Sequence, residues 1–400
     1  MHQRQSTSEL TIKEATLFPD SASQSGVRLG DWLHAFLYQR PDIGRIGRGH
    51  LSDSVYKCSL ISGIGSYGRI RVDPSASGSL PRAASQLVSV AVLRWQICIM
   101  AVSTSPARLD GLPTLPGVEH HWVDVQTGSG PVRLHLAATG SGPPVLLLHG
   151  WPQHWWCWRR VVKQLRDYRL LIPDLRGFGW SEAPGSGYSP TGFADDAVAL
   201  LDALDIARAH VIGHDWGGFA GFLLGLHHSE RVDRLLLCNS PGPWARLSPR
   251  TAVGLRRSWY AGLLATPILG HRLVAYPGFI PWFLRLGGQM PLFSDADATV
   301  YADQFRDRAR TAASSQLYRS YWRLAHAILL RRAFEGQRLQ APTQVLFGAN
   351  DFYIPVAVLE EIEAHGADLT LEVVEGCSHW MPEERPDLVT DRARALFGRQ

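Results

Sequence analysis

The chain predicts an α/β protein: a mostly parallel central sheet, helices on both of its faces, and a helical lid inserted late in the sequence. Three observations carry this expectation. Short apolar runs that end in Gly or a polar residue, among them PPVLLLHG, YRLLIPD, RLLLCN and TQVLFG, suit strands buried on both faces. Segments of helical length separate these runs, and strands alternating with helices build a parallel sheet. After Pro241 the alternation stops, and residues 245–335 read as helices rich in Trp, Leu, Tyr and Arg, with no clear strand.

In chain order, VEHHWVDVQ and VRLHLAATG alternate like two strands of a hairpin turned through Gly128-Ser129-Gly130. PPVLLLHG follows as a buried strand, then a helix over 155–167 and the strand YRLLIPDLRG. A helix over about 190–204, the strand ARAHVIG, a helix over 216–227 and the strand VDRLLLCN complete the first half. Beyond the helical block come TQVLFG, a helix from Pro355, the strand DLTLEVVEG and a final helix rich in Glu and Arg. The sheet domain is therefore expected over 117–244 and 336–400. The lid, 245–335, is expected over the C-terminal edge of the sheet, where open α/β sheets bind ligands.

Residues 1–99 read differently. They hold no sustained period and no catalytic pattern, and 73–86 are rich in Ser, Pro and Gly. Two readings stand: a poorly ordered extension, or a start assigned too far upstream, with Met100 as the alternative initiator. The polar opening MHQRQSTSEL is no signal peptide.

Composition excludes several classes. The apolar fraction of 45% and charged fraction of 19% are those of an ordinary globular chain. The net charge of +4 comes entirely from residues 1–99, with 11 Lys+Arg against 7 Asp+Glu, since 100–400 hold 29 of each. No basic stripe with interleaved aromatics is visible, which argues against nucleic acid. Five scattered cysteines (Cys58, Cys98, Cys157, Cys238, Cys377) form neither a disulfide framework nor a zinc spacing, so a reducing cytoplasm is expected. The most apolar run, Leu87–Val102, is too short for a membrane span and contains Arg94, so no integral membrane segment is expected.

The chemistry concentrates in Val211-Ile212-Gly213-His214-Asp215-Trp216-Gly217-Gly218. An apolar strand runs into Gly-x-Asp-x-Gly and straight into a helix, a nucleophile elbow with a carboxylate in place of the commoner Ser. The turn lifts the side chain of residue 215 to a helix N-terminus, whose N–H groups favour negative charge. The plainer reading is that Asp215 only caps the helix. A carboxylate nucleophile forms an ester, and cleaving that ester requires a base and a residue to orient it. His379, in GCSHWMPEERP, and Asp351, in LFGANDFYIP, both follow strands, at the edge where the elbow points. Singly each could be a surface or turn residue; the order nucleophile, acid, His is that of a hydrolase triad. His149-Gly150-Trp151-Pro152, directly after VLLLH, occupies the place of a loop that supplies an oxyanion N–H, here from Trp151, with a second from Trp216. His149, Trp155 and the Trp216 side chain are expected on a pocket wall. The clustered aromatics Trp151, Trp155, Trp156, Trp158 and Trp180, with Trp259, Trp282 and Phe283, suit either an apolar pocket or core.

HGWPQHWWCWRRV, PDLRGFGWSEAP, GHDWGG, FGANDFYIP and GCSHWMPEERPDLV, in this order over about 117–398, resemble the epoxide hydrolases of the α/β-hydrolase fold. The resemblance implies that Asp215 attacks an epoxide carbon and that His379, held by Asp351, activates the water that cleaves the ester. It also implies two lid tyrosines that protonate the oxygen. Tyr260, seven residues before a Pro, and Tyr318, in a Tyr-Arg pair late in the lid, match that pattern, with Tyr301, Tyr321 and Tyr276 in competition. The partners so implied are a small apolar epoxide and water, with no metal or organic cofactor, for a monomer or homodimer. The nearest rival on the fold is a haloalkane or haloacid dehalogenase with the same Asp-Asp-His set. Such enzymes usually carry Asn where this chain has Trp151, or Arg where it has Trp216. A binding protein without catalysis would be expected to lack one of the three side chains.

Overall fold

The computed structural model describes residues 111–288 and 292–398. The expectations for 1–99 and for Met100 lie outside the described residues. Among those described, eight strands form one sheet in the order β1-β2-β4-β3-β5-β6-β7-β8. Strands β1 (Glu119–Thr127) and β2 (Gly130–Thr139) are the antiparallel hairpin, paired from Glu119 opposite Ala138 to Thr127 opposite Gly130. Gly130 closes the turn at φ +99°, a conformation glycine adopts at no steric cost.

Strand β3 (Pro144–Leu148) lies between β4 (Arg169–Pro173) and β5 (Ala209–His214), parallel to both. The chain thus runs from β3 to one side and then crosses back to the other. The crevice beyond the ends of β3 and β5 is therefore the switch point where doubly wound sheets bind ligands. Strands β6 (Val232–Cys238), β7 (Thr343–Gly348) and β8 (Leu369–Val374) extend the parallel half. Every residue of β5 and β7 is buried, in keeping with their continuous apolar text.

Around the sheet run α1 (Arg159–Val162), α2 (Pro190–Ala203) and α3 (Trp216–His227). Ser189 caps α2 by accepting from Gly192 N–H at 3.0 Å, and Pro190 takes the first turn, where its missing N–H costs nothing. Between β6 and β7 stand α4 (Pro249–Leu255), α5 (Trp259–Ala265), α6 (Pro267–Ala275), α7 (Phe279–Leu286), α8 (Asp295–Ala302) and the 22-residue α9 (Arg308–Leu329). Capping boxes at Ser248/Thr251 and Ser294/Asp297 start α4 and α8. Two short helices, α10 (Met381–Glu384) and α11 (Pro386–Phe397), end the chain.

Two expected helices are shorter or tighter than their text suggests. The segment over 155–167 is a 3-10 turn, Trp155–Trp158, followed by the single turn of α1. Gln164 N–H and Leu165 N–H both close on the Val161 carbonyl, and the β-branched Val161-Val162 pair does little to extend the helix. The segment after Pro355 is two 3-10 turns, Val356–Leu359 and Ile362–His365, broken where Glu361 takes a left-handed φ of 62°. No helix among the described residues is long and apolar enough to cross a membrane.

Candidate active site

Asp215 joins β5 to α3 at φ 51°, ψ −117°, a backbone region costing a non-glycine residue roughly 1–3 kcal/mol. Close packing holds the strain. A Cβ on Gly217 would lie 2.3 Å from the Leu148 carbonyl O, and one on Gly213 would lie 2.6 Å from the Gly217 O. Strands β3 and β5 and helix α3 thus approach more closely than side chains allow. The Asp215 side chain makes no helix-capping hydrogen bond. Instead Oδ2 accepts from Trp151 N–H at 3.0 Å, and the Trp216 N–H lies beside the same carboxylate. Gly150 makes room, since a Cβ there would meet Oδ2 at 2.4 Å. Burial pushes the Asp215 carboxyl up to about 6, although His379 and the two N–H groups pull it down.

Asp351 follows β7 and is fully engaged. Its Oδ1 accepts from Tyr353 N–H at 2.8 Å and Ile354 N–H at 3.0 Å. Its Oδ2 accepts from Asn239 Nδ2 at 2.8 Å and faces His379 Nδ1 at 2.8 Å. A proton on Nδ1 satisfies that contact and leaves Nε2 of the neutral ring as the basic atom. Nε2 stands 3.9 Å from Asp215 Oδ1, beyond hydrogen-bond reach. Burial disfavours the imidazolium, but the charge and hydrogen bond of Asp351, with the charge of Asp215, outweigh it and raise the His379 pKa. The buried His214 bonds the His379 carbonyl through Nε2 at 2.8 Å and fixes the loop from below. The structure thus brings Asp215, Asp351 and His379 together from three strand ends.

Above them lies a cavity of roughly 910 Å³, its open mouth included, walled by Asp215, Trp216, Tyr260, Tyr318, Tyr321 and Tyr353 with aliphatic residues beyond. Tyr260 comes from α5 and Tyr318 from α9, their ring centroids 6.0 Å apart. Burial drives both phenols well above the ordinary tyrosine range, and the Asp215 charge adds to it. Both therefore keep their protons. Of the competing tyrosines, Tyr321 also lines the cavity, whereas Tyr301 bonds Glu383 Oε1 at 2.5 Å, away from it, and Tyr276 is not on its wall.

Two expected wall residues are elsewhere. His149 is fully buried, with Nδ1 against the Gly150 carbonyl at 2.9 Å and Nε2 accepting from Leu175 N–H at 2.9 Å. Both ring nitrogens are spent on shaping its loop. Trp155 is buried beside His120 and Trp156, on the hairpin side of the sheet. Trp156, Trp259, Trp282 and Phe283 do not line the cavity either. Trp151 serves twice: its backbone reaches Asp215, while its ring packs on Tyr318 and Phe283 and its Nε1–H donates to Ser314 Oγ at 2.9 Å. Asn239 and Tyr353 escaped the sequence reading. The signal for Asn239 was a lone polar residue ending the apolar run RLLLCN at the edge that carries the other site residues.

Comparison with known proteins agrees with this fold. The α/β-hydrolase fold family matches residues 143–386. The chain is 30% identical to the soluble epoxide hydrolase of Corynebacterium sp. (strain C12) over 283 residues, 66% of this chain and 93% of that protein. It is 27% identical to epoxide hydrolase 4 of Homo sapiens over 279 residues, 64% of this chain and 74% of that one. Among solved structures, Cfl2 from Burkholderia cenocepacia is similar at a TM-score of 0.62 and 28% identity, covering 72% of this chain and 98% of its own.

Proposed function

Since this chain belongs to the α/β-hydrolase fold family and is similar to epoxide hydrolases, we propose that it converts epoxides to vicinal diols through an ester on Asp215. The carrying observation is a largely buried carboxylate that shares the wall of one cavity with a pair of protonated phenols. Asp215 Oδ2 is held by the Trp151 N–H, so Oδ1 is the oxygen free to attack. A bond forms from Oδ1 to an epoxide carbon as the carbon–oxygen bond breaks. Tyr318 and Tyr260 hydrogen-bond the epoxide oxygen, and one of them delivers the proton that its alkoxide needs to leave. His379 Nε2 then removes a proton from water, which attacks the ester carbonyl. The N–H groups of Trp151 and Trp216 stabilise the developing oxyanion. Collapse expels the second diol oxygen as an alkoxide that takes the proton from His379, and the carboxylic acid left on Asp215 gives its proton back to the tyrosinate. Epoxide and water are consumed in equal number.

A carboxylate nucleophile also fits this electrophile better than an acyl group, because attack on an sp³ carbon gives an ester that lasts until water cleaves it. Incubating the enzyme with styrene oxide is expected to yield phenylethanediol. Halide release from haloalkanes or haloacids, without diol from epoxides, would move the assignment to dehalogenation. His379→Gln is expected to accumulate a covalent adduct on the peptide that contains Asp215, seen by mass spectrometry. An adduct on another residue refutes the nucleophile.

A further inference from the structure

The cavity runs well beyond the reacting groups, and the character of its wall changes along the way. Helix α9 contributes Tyr318, Tyr321, Leu324, Ala325, Ile328 and Leu329. These recur at three- and four-residue spacing and so share one helix face. From Tyr318 to Ile328 that face advances ~15 Å at 1.5 Å per residue. Past Tyr321 it is wholly aliphatic. Across from it, Phe219, Val358 and Pro355 continue the apolar lining.

The few polar side chains away from the reacting end are already occupied. Thr251 Oγ1 donates to the Arg246 carbonyl at 2.9 Å and accepts from Ser248 N–H at 2.7 Å. Ser258 Oγ donates to the Tyr353 carbonyl at 3.3 Å, and the Tyr353 hydroxyl donates to the Phe283 carbonyl. Among the described residues, Asp215 is the sole charged one on the wall. Past the Tyr321 hydroxyl, a polar or charged group laid against this wall would meet no side-chain hydrogen-bond partner and would lose water where the wall covers it, which is costly.

Building on the epoxide reading above, we propose that the substrate is an epoxide at the end of an uncharged apolar tail, with the tail laid along α9 from Tyr321 to Ile328. Ala325 and Ile328 would then set the length of tail that fits.

The test is a series of terminal epoxides of butane, hexane, octane and decane, with diol formation followed by chromatography. Each added methylene is expected to raise kcat/KM about threefold to fourfold until the wall ends. An epoxide with a terminal carboxylate is expected to react on the order of 100-fold more slowly than its length-matched alkane. Ala325→Trp and Ile328→Trp should each impose a cut-off. The cut-off in Ala325→Trp is expected at the shorter tail, since the two residues stand ~4.5 Å apart along the helix. Diol formation that is indifferent to tail length, or equal turnover of the carboxylate, overturns the tail proposal and leaves the epoxide reaction standing. Failure of every epoxide to give diol removes the reaction itself, and the tail site with it. The wild-type series decides the matter even if a tryptophan variant fails to fold.

Discussion

Asp215 carries opposing demands, and their sizes can be compared. The unfolded chain ionises this carboxyl near 3.8, the folded chain near 6. The fold therefore disfavours the carboxylate, and the penalty is fully present above pH 6, shrinks between the two values, and vanishes below the lower. Asp215→Asn removes that penalty without changing the volume of the side chain. At pH 8 the variant is expected to be inactive yet more stable by roughly 1–3 kcal/mol, read from urea or thermal unfolding. A destabilised variant would show that the Trp151 N–H contact outweighs burial. The same shift predicts a pH profile. In the proposed mechanism attack needs Asp215 ionised, so kcat/KM is expected to fall as pH drops through about 6. On the same proposed route ester cleavage needs neutral His379, whose pKa is held above the ordinary imidazole value of 6.5. The acid limb of kcat is therefore expected at higher pH than that of kcat/KM when hydrolysis limits turnover. His379→Gln followed in single-turnover mode should keep an acid limb from Asp215, moved to higher pH because the pull of His379 on that carboxyl is gone.

At the scale of elements, the elbow and the loop after β3 form one device. Gly217→Ala would place a methyl 2.3 Å from the Leu148 carbonyl and 2.5 Å from that of His149. Backbone cannot yield as a side chain can, so the variant is expected to lose several kcal/mol, on the order of the 3–5 kcal/mol of severe core changes, and to express poorly. Gln304, just ahead of α9, donates to the Pro152 carbonyl at 2.8 Å and accepts from Gly179 N–H at 2.7 Å. It ties the helical insertion to the residue next to Trp151. Gln304→Ala leaves two buried backbone groups unpaired, which is expected to cost ~1–3 kcal/mol and to lower kcat more than it changes KM. Steady-state kinetics beside a thermal melt checks both. The strands and the three strand-end residues were legible because fully buried strands write themselves as apolar runs, and an elbow needs glycines at fixed offsets. The tyrosines could be named only as a set of candidates. Tyr301 and Tyr321 read alike in the sequence, and only packing sends one to Glu383 and the other to the cavity wall. His149 and Trp155 misled for a related reason: proximity to the loop in sequence said nothing about which way each ring turned.

Over the whole molecule, the insertion is fastened to the sheet domain by buried charge. Arg159 of α1 donates to Glu383 Oε1 at 2.6 Å, to Asp297 Oδ1 of α8 at 3.1 Å and to the Tyr301 hydroxyl at 3.3 Å. Removing one member of such a set strands the other. Arg159→Met is expected to cost about 3–5 kcal/mol by taking the close guanidinium from buried Glu383, whose carboxylate then keeps the Tyr301 hydroxyl and, at 3.9 Å, Arg160. Adding Glu383→Leu should recover a large part of the loss in thermal stability, and no recovery would mean that the cluster is not a unit. Farther along, Arg310 at the start of α9 donates to the Gly179 and Ser181 carbonyls, both at 2.9 Å. The helix pinned there bears Tyr318 two turns later and the aliphatic wall beyond it. Anchor, proposed proton donor and wall are thus successive stretches of one rod. For the proposed substrate it would act as a ruler with its zero mark fixed at the reacting carbon. Sliding the rod to suit a longer tail would drag the phenol off its target, so substrate range can be retuned only by exchanging side chains along the scale.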